Sequence, residues 1–544
     1  MSYLLLTGST GMLGSYLLRD LLIAREPVAV IVRDRATETA QARVEALLQH
    51  WERELQRYLP RPKVIVGNLH EPSLGVSDSD QTWLAANCTR VLHSAACVSF
   101  QPEPATGEPY RSNLEGTRHV LQLCEQTGIK KFYHVSTAYL GGSEGDKHFE
   151  QPVDPQAASF RNDYEKSKAQ AEKLVREASF LDHPTFLRPS IIVGDSQTGF
   201  AASYRGIYTA LRLGYLHLIA KLQEGWKLDL ELVREVVEGQ FIQLLGLDGS
   251  ERKDLVPVDW VSQSVLQLMH SPSARGGVFH LTSSDPTRID TMAEAMIAAA
   301  LESLESQTSK RAGIPTALME SVGFREHMET YQPYFSDDPK FDRTHLLREE
   351  AVPCPTLDHE TLVRLWRTSI EADFSWRPAP VKSSTLNIES KLASLPSQLR
   401  DDSQVQWTDG LALELSGAGG GSWHVAFAGM EPTAARSRGS LPEKKTTPWQ
   451  PDVYASSETF QTLVEQSLDV EQAICSGKLI LSGRACEPAG RDRLERLLDF
   501  LRNTGTRAQL NGHSQTNHPL NHNTETYQQP SNGHVVQPPS EFAP

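Results

Sequence analysis

Tyr3-Leu4-Leu5-Leu6-Thr7, followed without a break by Gly8-Ser9-Thr10-Gly11-Met12-Leu13-Gly14, decides the fold of this chain. The short apolar run reads as a buried strand, the glycines as a tight turn, and the apolar residues after them as a helix. Such a strand–turn–helix turns backbone N–H groups and the positive end of a helix toward a dinucleotide pyrophosphate. The expected contacts are Gly8, Ser9, Thr10, Gly11, Met12, Leu13 and Gly14. The same segment has no basic flank and is interrupted by glycine, so it fails as a signal peptide.

Outward from this turn, short β-branched runs at 28–32, 64–66, 91–95, 132–135 and 185–193 alternate with longer stretches of helical period. Strand and helix in alternation predict an α/β fold, a Rossmann-type doubly wound parallel sheet. Between the second and third strands, Ala40, Val44, Leu47, Leu48, Trp51, Leu55 and Leu59 form one apolar stripe, read as core packing. The nucleotide part is expected over 1–195, and a mostly helical substrate part over 196–378, with one strand-like piece at 277–282. Residues 379–405, rich in Ser, Pro, Lys and Asp, read as a linker. A small α+β domain is expected over 406–503, with strands near 411–415, 423–428, 453–455 and 478–482 and helices near 458–466 and 491–501. From 504 to 544 the composition turns to Asn, Gln, His, Pro and Thr, which predicts a disordered tail. Its His513, His518, His522 and His534 have no fixed scaffold for a metal.

The chain has 544 residues, 39% hydrophobic and 22% charged, which calls for more than one core. A net charge of −15 disfavours nucleic acid as a partner. Cys88, Cys97, Cys124, Cys354, Cys475 and Cys486 form no C-x-x-C pair, so neither a disulfide framework nor a zinc site is expected, and the protein reads as cytoplasmic. The most membrane-like stretch, 207–220, is interrupted by Arg212 and too short to span a bilayer. No transmembrane segment is expected; peripheral membrane contact stays open.

Arg33-Asp34-Arg35 follows the second strand where a carboxylate would hold a free ribose 2′-hydroxyl. Arg33 there can pair with a 2′-phosphate, which favours NADP(H) and leaves NAD(H) as the second choice; two solvated arginines are the plain alternative. Tyr164-Glu165-Lys166-Ser167-Lys168 sets Tyr164 and Lys168 four apart, on one helix face. An ammonium so placed is expected to lower the phenol's pKa. Tyr164 could then give a proton to a carbonyl oxygen, with Ser136 at the end of the fifth strand bonding the same oxygen. Ser136, Tyr164 and Lys168 are the expected catalytic residues, and Tyr164 and Lys168 are expected to contact the cofactor as well.

In this order, glycine loop, strand-end serine, then Tyr-x-x-x-Lys, the sequence resembles the extended short-chain dehydrogenases, and among them the male-sterility-type fatty acyl-CoA reductase and thioester reductase branch. The likeness is carried further by Gly67-Asn68-Leu69, His93-Ser94-Ala95-Ala96-Cys97-Val98-Ser99-Phe100, Asn113-Leu114-Glu115-Gly116-Thr117, Arg188-Pro189-Ser190-Ile191-Ile192-Val193-Gly194 and Val256-Pro257-Val258-Asp259. Pro333-Tyr334-Phe335-Ser336 through Phe341-Asp342 adds to it, so that it spans roughly 1–378. The resemblance implies that Ala95, Ala96 and Val98 line the cofactor groove, that Pro189, Ile191 and Ile192 approach the nicotinamide, and that Asn68 and Leu69 lie near the adenine. Asn68 stands where the family usually carries Asp, a modest change because both accept a hydrogen bond. His93 reads as a packed strand histidine.

The second domain resembles the sterol-carrier-protein fold through Trp423-His424-Val425-Ala426-Phe427, Ser457-Glu458-Thr459-Phe460-Gln461-Thr462-Leu463-Val464, Ala473 and Gly477-Lys478-Leu479-Ile480-Leu481-Ser482-Gly483. That implies a lipid cradle, with a plain core as the alternative. Together the two resemblances imply an NADPH-dependent reductase of a fatty acyl thioester, carried on CoA or an acyl carrier protein, giving aldehyde or alcohol. Two other readings remain open: a sterol or alcohol dehydrogenase or sugar-nucleotide epimerase or dehydratase, and a lipid carrier whose nucleotide domain senses redox state.

Overall fold

The computed structural model describes residues 2–141, 146–223, 242, 247–306, 334, 336–376, 388–393, 395, 410–416, 421–437, 451–465 and 467–511. Five strands open the chain: β1 (Tyr3–Thr7), β2 (Val28–Val32), β3 (Lys63–Val66), β4 (Cys88–His93) and β5 (Lys131–Val135). With Thr185–Pro189 and Val278–Leu281 they form one seven-stranded sheet in which every neighbouring pair is parallel. Its order is Val278–Leu281, Thr185–Pro189, β5, β4, β1, β2, β3. The expected Rossmann-type sheet is therefore present.

The crossovers are helices α1 (Met12–Ile23), α2 (Ala40–Leu55), α3 (Asp78–Asn87), α4 (Gly116–Thr127) and α5 (Asp163–Glu177). β2, Val-Ala-Val-Ile-Val, is buried along its whole length, as a strand covered on both faces must be. One face packs Leu4, Leu6 and Val30 against Leu17, Leu21, Leu47 and Trp51. The other packs Leu5, Val91, Phe132 and Phe186 against Leu84, Val120 and Leu123. Side-chain caps fix the starts of α2 and α5: Thr39 accepts from the Ala42 amide for α2, and Asn162 accepts from the Glu165 amide for α5. The Asn162 cap puts Tyr164 in the first turn of α5, at the sheet's carboxyl end.

The single strand expected over 185–193 is two. Pro189 ends the first, Ser190 turns its hydroxyl to Asp254 at 2.6 Å, and Ile191–Val193 leaves the sheet to pair with Leu255–Pro257. The piece expected at 277–282 forms Val278–Leu281 and returns to the main sheet as its edge. Nucleotide and substrate parts thus share one sheet. Helices Ile207–Gln223, Ile289–Ser306 and His359–Glu371 close over it around buried Tyr208, Met296 and Trp366. Of the segment through Phe341-Asp342, Pro333 and Phe335 lie outside the described residues.

The second unit holds five strands, Leu411–Ser416, Gly421–Ala428, Glu431–Ser437, Val453–Ser456 and Leu479–Leu481, arranged third, second, first, fourth, fifth. Glu431–Ser437 has no counterpart in the sequence reading. Residues expected as linker include a helix, Ile388–Ala393, with Ile388, Leu392 and Leu395 buried in this unit's core beside Leu413, Phe460 and Leu498. Their spacing of four and three is a helical face, and Lys391 Nζ donates to the Leu501 carbonyl at 2.7 Å. The last helix, Pro488–Asn511, runs past 504; the expected tail from 512 on, with its four histidines, lies outside the described residues. The Tyr58 amide, between α2 and β3, donates to the Gly477 carbonyl at 2.5 Å, and the Tyr58 and Tyr454 rings stand 6.2 Å apart. Among the described residues no helix is long and apolar enough to cross a membrane.

Leu392→Ala should destabilise the second unit by about 2–5 kcal/mol. Hydrogen exchange would show this as faster exchange across residues 411–437 with α1 and β1 unchanged; unchanged exchange at 411–437 would mean that 388–395 is a linker.

Candidate active site

In this sheet the strand order reverses between β1 and β4, and a crevice opens beyond their carboxyl ends, where doubly wound sheets bind ligands. The glycine loop forms its floor. Gly8 has φ +78°, and a Cβ on it would lie 2.6 Å from the Ala95 amide nitrogen; one on Gly14 would lie 2.0 Å from the Gly8 carbonyl oxygen. Gly11 caps α1 with extended backbone and no side-chain hydrogen bond, so the first-turn amides of α1 face the crevice without an intrahelical acceptor. Ser9 Oγ is buried there without a partner. A loop that admits no Cβ and free helix-end amides together fit a pyrophosphate.

A cavity of about 900 Å³ continues from the loop. It brings together most of the expected residues: Gly8, Thr10, Gly11, Met12, Leu13 and Gly14; Ala96 and Val98; Ser136, Tyr164 and Lys168; Pro189, Ile191 and Ile192. Ser9, Arg33, Asn68, Leu69 and Ala95 are not on its wall. Ala95 packs under Gly8, its amide donating to Thr7 Oγ1 at 3.3 Å. Asn68 closes its own turn, accepting from the His70 amide at 3.2 Å and donating to Glu71 at 3.1 Å. The Leu69 carbonyl accepts from His119 at 2.8 Å.

Arg33 is exposed, and its carbonyl accepts from Arg43 Nη1 at 2.7 Å. Arg43 and Arg35 line the cavity instead, and Arg43 Nη2 reaches Thr10 Oγ1 at 3.2 Å. Burial, then the nearby Arg35 cation, lower the Arg43 pKa. The sequence reading missed Arg43, although a signal existed: a cation between Ala40 and Leu47 interrupts an apolar stripe. His93 is packed as expected, Nδ1 2.7 Å from Thr7 Oγ1 and Nε2 3.1 Å from Thr117 Oγ1.

Lys168 is buried and donates to the Val135 carbonyl at 2.7 Å. Burial brings its pKa down to about 8, with Glu172 opposing. The expectation that Lys168 makes the Tyr164 phenol more acidic is not met here. Burial raises the phenol, Glu165 and Cys97 add to this, and the ammonium points at a carbonyl. Ser136 Oγ makes no well-formed hydrogen bond, yet it lies near enough to the Glu172 carboxylate to favour its charged form. Thr137, the next residue, was not anticipated; it lines the same wall and its Oγ1 accepts from the Tyr139 amide at 3.4 Å.

A glycine loop beside a strand-end hydroxyl and Tyr-x-x-x-Lys, on a parallel sheet, suits a nicotinamide dinucleotide. More narrowly, residues 6–265 match the NAD-binding family described as "Male sterility protein". A linear gramicidin synthase protein of Brevibacillus parabrevis is 25% identical over 383 residues, 66% of this chain and 7% of that protein. Fatty acyl-CoA reductase 1 of Gallus gallus is 30% identical over 223 residues, 35% of this chain and 42% of that protein. The chain thus spans less than half the length of either. The terminal R domain from the myxalamid PKS-NRPS biosynthetic pathway shares the fold, with a TM-score of 0.51 at 23% identity over 70% of this chain and 93% of that one.

Gly14→Ala forces a Cβ onto the Gly8 carbonyl and should weaken NADPH binding at least about five-fold, the equivalent of the lower end of an overpacking penalty. Fluorescence titration with the fold checked by circular dichroism measures it; wild-type affinity would remove the loop from the binding site.

Proposed function

We propose that this chain is an NADPH-dependent reductase of a fatty acyl thioester, carried on CoA or an acyl carrier protein, with aldehyde or alcohol as product. The observation that carries the reading is the composition of one cavity: Ser136, Tyr164 and Lys168 on one wall, and Leu211, Ile242, Leu247, Met292, Met296 and Phe374 beyond them. Apolar lining with a few convergent polar groups suits a hydrocarbon chain ending in a polar, reactive carbonyl. Likeness to Fatty acyl-CoA reductase 1 supports it.

The glycine loop would hold the dinucleotide, which when bound would be the source of the hydride for the thioester carbon. Tyr164 gives its proton to the carbonyl oxygen, the hydroxyl of Ser136 or its neighbour Thr137 bonds that oxygen, and the Lys168 ammonium stabilises the negative charge that develops. The resulting hemithioacetal collapses to aldehyde and free thiol; a second hydride and proton would give the alcohol. The chain needs no cysteine nucleophile for this. Burial holds the Cys97 thiol up at about 11, so it stays protonated.

Arg35 and Arg43 on the cavity wall support NADP(H) over NAD(H), because a guanidinium suits a 2′-phosphate. Lipid handling by the second unit rests on its resemblance to the sterol-carrier-protein fold, which a five-stranded sheet covered by helices accommodates.

Long-chain acyl-CoA or acyl-carrier substrate should drive NADPH oxidation by the full chain, with aldehyde or alcohol identified by mass spectrometry. Tyr164→Phe should lower kcat about 10²–10⁴-fold with NADPH affinity kept; a folded wild-type protein inactive on both thioesters overturns the reading. Arg43→Ala should weaken NADPH binding about ten-fold and NADH binding far less. Equal losses for the two dinucleotides would assign Arg43 to the fold alone.

A further inference from the structure

One turn beyond Lys168 on α5 stands a second buried charge, Glu172. Arg188 holds it in a fork, Nε to Oε1 at 2.8 Å and Nη2 to Oε2 at 2.7 Å, with both side chains almost fully buried. Arg176 reaches the same Oε2 at 3.3 Å. Tyr164, Lys168 and Glu172 follow at intervals of four and share one face of the helix. Ser136, just past the end of β5, helps to keep that carboxylate charged, although its Oγ makes no hydrogen bond of good geometry.

The other titratable groups facing Lys168 are His93 on β4 and His134 on β5. Burial, then Lys168 itself, keep both neutral, His93 down at about 3 and His134 well below the usual histidine range. Arg188, on Thr185–Pro189, and Arg176 face Glu172. Among the described residues, Glu172 is therefore the acidic group that acts on Lys168. An ammonium buried among neutral rings tends to lose its proton, and a fixed carboxylate nearby opposes that loss. A lone buried carboxylate would take up a proton itself; two charge-assisted bonds from Arg188 prevent it.

We propose that Glu172, clamped by Arg188 one helical turn beyond Lys168, is a positioning residue for the reduction: it is the counter-ion that keeps the Lys168 ammonium charged and seated on the Val135 carbonyl at the cavity wall. This rests on the reductase reading of the cavity. Lys168 is charged below about 8 and neutral above it, so cofactor grip and rate both decline as pH rises through that value.

The test uses the full chain, with NADPH affinity by fluorescence and thioester reduction followed across this pH range. Glu172→Met combined with Arg188→Met replaces the pair by apolar side chains without stranding a charge, an exchange buried pairs often tolerate. Glu172→Gln, with a thermal melt to confirm folding, is the second variant. In either folded variant the alkaline decline should move about one unit toward lower pH, and kcat near neutrality should fall more than KM rises. A folded variant with an unmoved decline overturns the proposal, as does a wild-type affinity with no step near 8. Wild-type protein that binds NADPH but reduces no thioester would instead remove the reductase reading, and the affinity profile would still decide the role of Glu172.

Discussion

Helix α1 begins so close to the end of β1 that no side chain fits between them. The Gly8 carbonyl stands where a Cβ of residue 14 would be, and the Ala95 backbone stands where a Cβ of residue 8 would be. These two contacts bring three pieces of backbone together: the end of β1, the start of α1 and the segment after β4. They fix the positive end of α1 over the crevice at the strand reversal. The rest of the site is hung from that point. Thr10 in the loop receives Arg43 from α2, and Thr7 below it receives His93 and the Ala95 amide.

Around this rigid floor lie charges that a stability argument alone would not place there. Lys168, Glu172 and Arg188 are buried together, and burial costs each of them hydration. Their pairing offsets that cost only because the geometry is bidentate and the helix spacing is fixed. A buried cation with a lowered pKa on a cavity wall, as Lys168 is, is a common mark of a working site.

What could be read in the sequence was local. The glycine loop, β1 to β5, the stripe of α2 and the pairing of Tyr164 with Lys168 depend on spacings of a few residues, and the structure places them as expected. Features set by distant partners were not legible. Ser190 breaks its strand because Asp254 takes its hydroxyl, and Val278–Leu281 becomes a sheet edge by pairing with Thr185–Pro189. Arg43 depends on Thr10, and the helix at 388–393 depends on a core assembled from residues 411–501. Composition alone made that helix look like linker, since three apolar residues among Ser, Pro and Lys carry little weight until something receives them. The phenol of Tyr164 was misjudged for a related reason. Spacing shows that Lys168 is near, but not that its ammonium turns to Val135.

The second unit meets the first at Tyr58, Gly477 and Tyr454, and none of its described residues lies on the wall of the cavity that holds Tyr164. Among the described residues, hydrophobic cargo held in that unit would find no covered path to Tyr164 and would cross water to reach it. Joining the two units in one polypeptide would then act through local enrichment, with the connecting segment setting how often the released molecule is recaptured. Among the described residues no wall is shared by the two units, and a soluble scavenger would compete for cargo in transit.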